Sequence, residues 1–253
     1  MATDLQRLRG KVCIINGAGG TIGEAVAQRF VDEGATVVGV DKSVHHISDF
    51  SLQSDLTDEV QVQEMYEQAF RRCGKIDVIY NNAGMIDSGD HSAMETSLAT
   101  WQKIQEANLT STFLSCKYGI PYLLRNNPSN GSVINSASFL ATIGAATAQM
   151  SFSAAKAGIV QLTRDLGINL AKSGVRVNVV CFGPIETPEQ RRVFEDKPDS
   201  LNKRLIHMPM GRFGTKEEAA GTVAFLACSD SGFITAAAIP LDGGITHAYT
   251  IPE

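Results

Sequence analysis

The sequence is poor in the features that secreted, membrane-spanning or nucleic-acid-binding chains require. Its cysteines, Cys13, Cys73, Cys116, Cys181 and Cys228, are odd in number and show no C-x-x-C spacing. That argues against a disulfide framework and for reduced thiols. Cys13 and Cys181 fall in apolar runs, where packing rather than reactivity is expected. No apolar stretch approaches membrane-spanning length, and the opening MATDLQRLRGK is too polar for a signal peptide; the expected compartment is cytoplasmic. Positive charge is also scarce. With 22 Lys and Arg against 27 Asp and Glu the net charge is −5, the wrong sign for a phosphate backbone. The basic pairs Arg71-Arg72 and Arg191-Arg192 read as solvated helix faces. His45-His46 lies in a polar loop without a His-x-x-x-His or Cys partner, so no metal site is expected. No Pro/Ser/Gly linker, repeat or low-complexity block interrupts the 253 residues, which suits one α/β domain over 1–253.

What is present is an alternation of apolar runs and amphipathic stretches. Lys11–Asn16 reads as a two-sided buried strand. It empties into Gly17-Ala18-Gly19-Gly20-Thr21-Ile22-Gly23, followed by a helix predicted over Glu24–Glu33 and a strand ending at Asp41. Strand, glycine turn, helix and strand form a βαβ unit whose turn N–H groups and helix dipole attract a pyrophosphate. A carboxylate at Asp41 can accept both hydroxyls of an adenosine ribose and repels a 2′-phosphate, which favours NAD over NADP; Lys42 beside it pulls the other way. Asp55, after a short third strand, either contacts adenine or caps the helix of residues 58–72. The strand Asp77–Tyr80 leads into Asn81-Asn82-Ala83-Gly84, whose amides can tie neighbouring strands together.

Residues 100–125 read as a long helix with apolar positions at Ile104, Ala107, Leu109, Phe113, Leu114 and Leu123. Asn108 in its middle is a poor helix former, and the spacing predicts a bulge or water site there. The strand around Val133 and Ile134 ends at Ser136-Ala137-Ser138, and a helix beginning near Ser151–Ser153 carries Phe152 and Lys156 one turn apart on one face. A hydroxyl facing an ammonium is a layout for moving protons, yet the third side chain is a phenyl with no proton to give. After the strand Val175–Cys181 comes Phe182-Gly183-Pro184-Ile185-Glu186-Thr187. The polar residues 188–214 are long enough for a lid over a substrate; a helix over Lys216–Cys228 and a strand over Ala238–Leu241 precede Asp242-Gly243-Gly244. This order implies a doubly wound, Rossmann-like parallel sheet with helices on both faces and ligands at the C-terminal strand ends.

Gly17…Gly23, Asn81-Asn82-Ala83-Gly84, Asn108, Ser138, Lys156, Gly183–Thr187 and Asp242-Gly243-Gly244, taken in order, resemble the short-chain dehydrogenase/reductase family over nearly the whole chain. The resemblance implies catalytic positions at Asn108, which would hold a relay water, Ser138, which would bond the substrate oxygen, Phe152 and Lys156. Lys156 would also bind the nicotinamide ribose. For the cofactor, NAD, it implies Gly17, Gly19, Thr21, Ile22 and Gly23 at the pyrophosphate, and Asp41 at the adenosine ribose. Asp55 and Leu56 would meet the adenine, Asn82, Ala83 and Gly84 would flank the dinucleotide, and Gly183, Ile185 and Thr187 would hold the nicotinamide end. It further implies a homotetramer or homodimer joined through the helices of Asn108 and Lys156. Four positions depart from the family pattern: Phe152 in place of its tyrosine, Phe182 in place of a proline, Thr21 in place of a glycine and Asn16 in place of a threonine.

The phenyl leaves three readings. In the first, Tyr→Phe is an engineered or natural loss in an NAD(H) enzyme that interconverts a secondary alcohol and a ketone. In the second, both phenylalanines shape a pocket for a large apolar substrate in a non-redox cyclase or isomerase. The third is an NAD-binding pseudoenzyme. The family's usual chemistry puts the first ahead. Tyr118, His91 and Glu186 are substitute proton donors by residue type alone. Met94, Phe139, Met150, Phe182 and Phe194 are candidates to line an apolar cavity, with core packing the expectation for any one of them taken alone.

Overall fold

The computed structural model describes residues 6–43, 50–126, 130–145, 147–188 and 198–248. His45, His46, Arg191, Arg192, Phe194 and part of the predicted lid lie outside them. Strand β1 (Val12–Asn16), helix α1 (Thr21–Asp32), β2 (Thr36–Asp41), β3 (Phe50–Gln53), α2 (Glu59–Cys73) and β4 (Val78–Asn81) make the first half. Helix α3 (Leu98–Gln105), a π-helical segment (Glu106–Thr110), α4 (Ser111–Leu123), β5 (Gly131–Ser138), α5 (Met150–Leu170), β6 (Val175–Phe182), α6 (Pro198–Leu205), α7 (Lys216–Ala227) and β7 (Ala238–Leu241) complete it. The strands form one seven-stranded sheet in the order β3-β2-β1-β4-β5-β6-β7, parallel throughout.

The unbroken apolar run of β1 follows from burial on both faces. Cys13 and Ile15 pack with Val26, Phe30 and Val223 on the α1/α7 side, while Ile14 packs with Tyr66, Leu114 and Leu123 on the α2/α4 side. Each such aliphatic side chain stabilises the fold by about 1.5–3 kcal/mol relative to exposure. Two predicted boundaries moved. Helix α1 begins at Thr21, so Thr21 is its first residue rather than part of the turn. Strand β3 ends at Gln53, before Asp55. The cap of α2 is Asp58, whose carboxylate accepts from the backbone N–H groups of Val60 and Gln61.

The long helix predicted over residues 100–125 is interrupted by a wide turn centred on Asn108. Side chains satisfy the carbonyls this turn loosens: Asn108 Nδ2 donates to Ile104 O at 3.0 Å, and Thr112 Oγ1 donates to Asn108 O at 2.8 Å. Such bulges gather where a helix must aim one residue out of the regular ladder. Phe113, one of the apolar positions of this stretch, is 47 % exposed.

Candidate active site

The glycine turn, Asp41, residues 82–84, Ser138 and residues 183–187 lie at or just past the C-terminal ends of β1, β2, β4, β5 and β6. Beneath them, Asn81 Nδ2 donates to Asn135 Oδ1 at 2.8 Å, Asn16 Nδ2 donates to Asn81 Oδ1 at 2.9 Å, and Asn135 Nδ2 donates to Thr163 Oγ1 at 2.9 Å. This amide ladder ties β1, β4, β5 and α5, as the Asn81-Asn82 pair suggested. Asn135 and Tyr66, whose hydroxyl meets Ser115 Oγ at 2.6 Å, are members the sequence reading missed. Asn82 lies one step higher: its Nδ2 donates to Gly17 O at 3.2 Å, and its Oδ1 accepts from Tyr80 OH at 3.0 Å.

The glycine turn is shaped by close approach. Gly17 has φ +80°, and a Cβ there would lie 2.6 Å from Ala83 N; at Gly23 it would lie 2.0 Å from Gly17 O. Helix α1 has as its N-cap Gly20, which supplies no side-chain cap. Its first-turn N–H groups at Thr21, Ile22 and Gly23 therefore have the arrangement that suits an anion. Asp41 Oδ2 accepts from Gly19 N at 2.9 Å, fixing the carboxylate beside the turn. Lys42 is drawn away from Asp41 into an ion pair with Asp55 at 3.0 Å. Asp55 neither caps α2 nor stands open. It accepts from Thr57 N and Oγ1; partial burial pushes its carboxyl up, and these bonds with Lys42 bring it below the usual range. Leu56 beside it is buried.

Ser138 ends β5. Its Oγ accepts from Leu140 N at 3.2 Å, so its O–H remains able to donate to an incoming oxygen. Lys156, 6 % exposed, donates from Nζ to Ser136 O at 3.1 Å. Burial alone lowers its pKa from 10.5 to about 8. The Phe152 ring centroid is 5.4 Å from Nζ. A methyl group placed on Gly84 would lie 2.5 Å from Asn108 Oδ1 and 3.3 Å from Lys156 Nζ. The two polar ends thus converge over one glycine. Asn108 Nδ2 donates to Met85 O at 2.9 Å, while its buried Oδ1 has no partner. An uncapped helix end, an unmatched amide oxygen and a buried ammonium at one strand edge form a cradle that fits a dinucleotide.

Asp90 was missed. It is 4 % exposed, and its two oxygens accept from Ser151 N at 3.0 Å and Phe152 N at 2.9 Å. Because Gln149 supplies no cap to α5, this distant carboxylate anchors the turn carrying Phe152. A carboxylate capping a helix from another loop leaves no spacing signature.

Other expectations need correction. Met94 is 88 % and Met150 46 % exposed, and Phe182 is 7 % exposed within the α1/α7-side core, so these three line no common cavity. Tyr118 OH donates to Glu59 Oε1 at 2.7 Å, on the α2/α4 surface, while His91 and Glu186 are exposed. Ile185 pairs with Gly214 in an isolated bridge, and a Cβ on Gly183 would lie 2.6 Å from Asp242 Cα, which brings the Asp242-Gly243-Gly244 loop against it. A cavity of about 470 Å³ lined by Pro184, Met210, Gly214, Phe225 and Leu241 touches none of Asn108, Ser138, Phe152 and Lys156. No helix among the described residues is long and apolar enough to cross a membrane.

Comparison with known proteins places these features in a lineage. Residues 17–246 match a family described as enoyl-(acyl carrier protein) reductase. The chain is 33% identical to a 3-oxoacyl-[acyl-carrier-protein] reductase of Thermotoga maritima, over 94% of this chain and 99% of that protein. It is 34% identical to a meso-2,3-butanediol dehydrogenase of Serratia marcescens, over 98% and 99%. Among solved structures, aldohexose dehydrogenase of Thermoplasma acidophilum superposes with a TM-score of 0.90 at 30% identity, covering 98% of this chain and 99% of that one. The chain belongs to the short-chain dehydrogenase/reductase family.

Proposed function

We propose that the chain is an NAD(H)-linked oxidoreductase that interconverts a secondary alcohol and a ketone. The observation that carries the reading is the convergence of Asn108 Oδ1 and Lys156 Nζ over Gly84, next to the uncapped start of α1. In this reading the first turn of α1 and Gly17, Gly19 and Gly23 take the pyrophosphate, and Asp41 takes the adenosine ribose. Asn82, Ala83 and Gly84 flank the cofactor, Lys156 holds the nicotinamide ribose, and Gly183, Ile185 and Thr187 hold the carboxamide end. The bound dinucleotide supplies hydride chemistry. Ser138 donates to the substrate oxygen, and the segment 188–214 covers the substrate. NAD is favoured over NADP because the Asp41 carboxylate sits beside the turn while the Lys42 side chain pairs with Asp55. The chain assembles as a dimer or tetramer through the helices of Asn108 and Lys156, where Phe113 and Met150 leave apolar surface exposed.

Phe152 occupies the position that the family gives to tyrosine, and this favours a second reading. A non-redox cyclase or isomerase would use the half-buried ring as a pocket wall, with Ser138 and Asn108 as hydrogen-bond groups. Assays of the native chain and Phe152→Tyr, with NADH and a panel of cyclohexanone, acetoin and a 3-oxoacyl thioester, separate the two. Turnover by the Tyr form supports the oxidoreductase. Silence in both forms, with NADH still bound, refutes it. Asp41→Ala is expected to weaken NADH binding at least tenfold and NADPH binding less, read by equilibrium dialysis; equal losses refute the assignment to NAD.

A further inference from the structure

The site retains its ammonium and has lost its phenol, so the proton needed for carbonyl reduction must come from another group. We propose that Lys156 is itself the proton source, passing a proton from Nζ through one water to the substrate oxygen, in the space a phenol hydroxyl at residue 152 would fill. This rests on the oxidoreductase reading above.

Three observations support it. First, Nζ has three N–H bonds, and Ser136 O is the acceptor found for it; the Phe152 face offers no hydrogen-bonding atom. Second, the unmatched Oδ1 of Asn108 and the ammonium face the same glycine, an acceptor and a donor of the kind a bridging water pairs with. Third, Tyr118 is engaged with Glu59 on another face, and His91 and Glu186 are exposed whereas Lys156 is buried.

The groups around Nζ do not ionise near neutrality. They are Ser136 O from β5, Asn108 from the π-helical turn, the Gly84 backbone from the β4 loop and the Phe152 ring from α5. Of the titratable groups on packed elements, Asp90 is spent on the N–H groups of Ser151 and Phe152, and Tyr80 OH donates to Asn82. Burial is accordingly the one cause that depresses Lys156, to about 8, close to where a general acid works best. Lysine suits this task because its ammonium, unlike a guanidinium, releases a proton once desolvated.

The step balances as follows. The ketone carbon receives a hydride, so the ketone is reduced and the dinucleotide oxidised. The C=O π pair becomes an oxygen lone pair, which takes a proton from the water. The water regains a proton as one Nζ–H bond breaks, and solvent reprotonates the neutral amine. Oxidation of the alcohol runs the same steps backwards and needs the neutral amine.

The test combines a titration with a two-by-two set of variants in the full chain. Nitrogen NMR of the dinucleotide-free protein, with the Lys156 signal assigned from its loss in Lys156→Met, is expected to give a midpoint near 8; one near 10.5 overturns the proposal. Ketone reduction by the native chain is expected to fall tenfold per pH unit above about 8. Lys156→Arg keeps the charge but cannot yield its proton, so it should lower native turnover about 100-fold or more. Phe152→Tyr in the Arg background should restore at least about tenfold of this. Thermal melts and NADH binding check that each variant folds, and Lys156→Met repeats the loss if the arginine is not accommodated. Native turnover that survives Lys156→Arg, or that is flat across this pH range, overturns the proposal and leaves the oxidoreductase reading standing. So does turnover in Phe152→Tyr alone. Silence in both native and Phe152→Tyr chains with NADH bound removes the reading and the proposal together.

Discussion

Replacing Lys156 by methionine is expected to stabilise the dinucleotide-free chain. The ammonium is buried without a carboxylate, and its pKa falls from 10.5 to about 8. That difference, 10.5 − 8, at about 1.4 kcal/mol per pH unit, puts the cost of keeping the charge in the fold on the order of 3 kcal/mol. Losing the bond to Ser136 O returns about 1 kcal/mol. The net gain is therefore about 2 kcal/mol at neutral pH, or a rise in Tm of about 4–8 °C for a chain of this size. The folded pKa lies below the unfolded one, so the unfolded chain binds more protons between about pH 8 and 10.5. Stability of the native chain then rises with pH through that window, and the advantage of methionine shrinks. Calorimetric melts of both chains at pH 7 and near pH 10 measure the gap. A native chain that melts higher at pH 7, or a gap that is the same at both pH values, would refute the picture of an uncompensated buried ammonium.

Three further outcomes follow from the geometry. Asp90→Ala removes both acceptors at the start of α5 and should cost about 2 kcal/mol, a drop of about 4–8 °C in Tm; Asp90→Asn should cost less than half as much, and no change in either melt refutes the anchoring role. Gly84→Ala forces a methyl within 2.5 Å of Asn108 Oδ1, whose amide is held by Met85 O and Ile104 O, and should destabilise by about 1–3 kcal/mol while weakening NADH binding measured by dialysis. Ala236 adopts φ +57°, which costs a side-chain-bearing residue about 1–2 kcal/mol. Ala236→Gly should therefore raise stability by up to about 1 kcal/mol in urea unfolding, after the entropic cost of glycine.

The sheet was legible because its strands are buried on both faces and its turns carry glycine where Cβ atoms cannot fit. Gly17 and Gly23 mark the turn as surely in sequence as in space. Asn108 was legible for the same kind of reason: an amide in the middle of an apolar helix signals a broken ladder, and the π-helical turn is that break. Contacts between residues distant in sequence left no such trace. Asp90 reaches α5 from a loop some 60 residues away, and Lys42 meets Asp55 only because β2 and β3 are neighbours. The exposure of Met94 and Phe113 left no trace either, because an apolar residue carries no mark of whether core or solvent receives it.

The bridge between Ile185 and Gly214 has a further consequence. Glu186 N donates to Gly214 O at 2.8 Å, Gly214 N donates to Pro184 O at 3.0 Å, and Met210 N donates to Gly243 O at 3.3 Å, so the excursion between Ile185 and Gly214 is held at its neck and, through Met210, against the loop after β7. Lengthening, shortening or rewriting that excursion costs little loop-closure entropy and leaves the register of β6 and β7 alone. Changes of length between these ties are therefore tolerated while the strand tips, the ammonium and the glycine turn stay where they are.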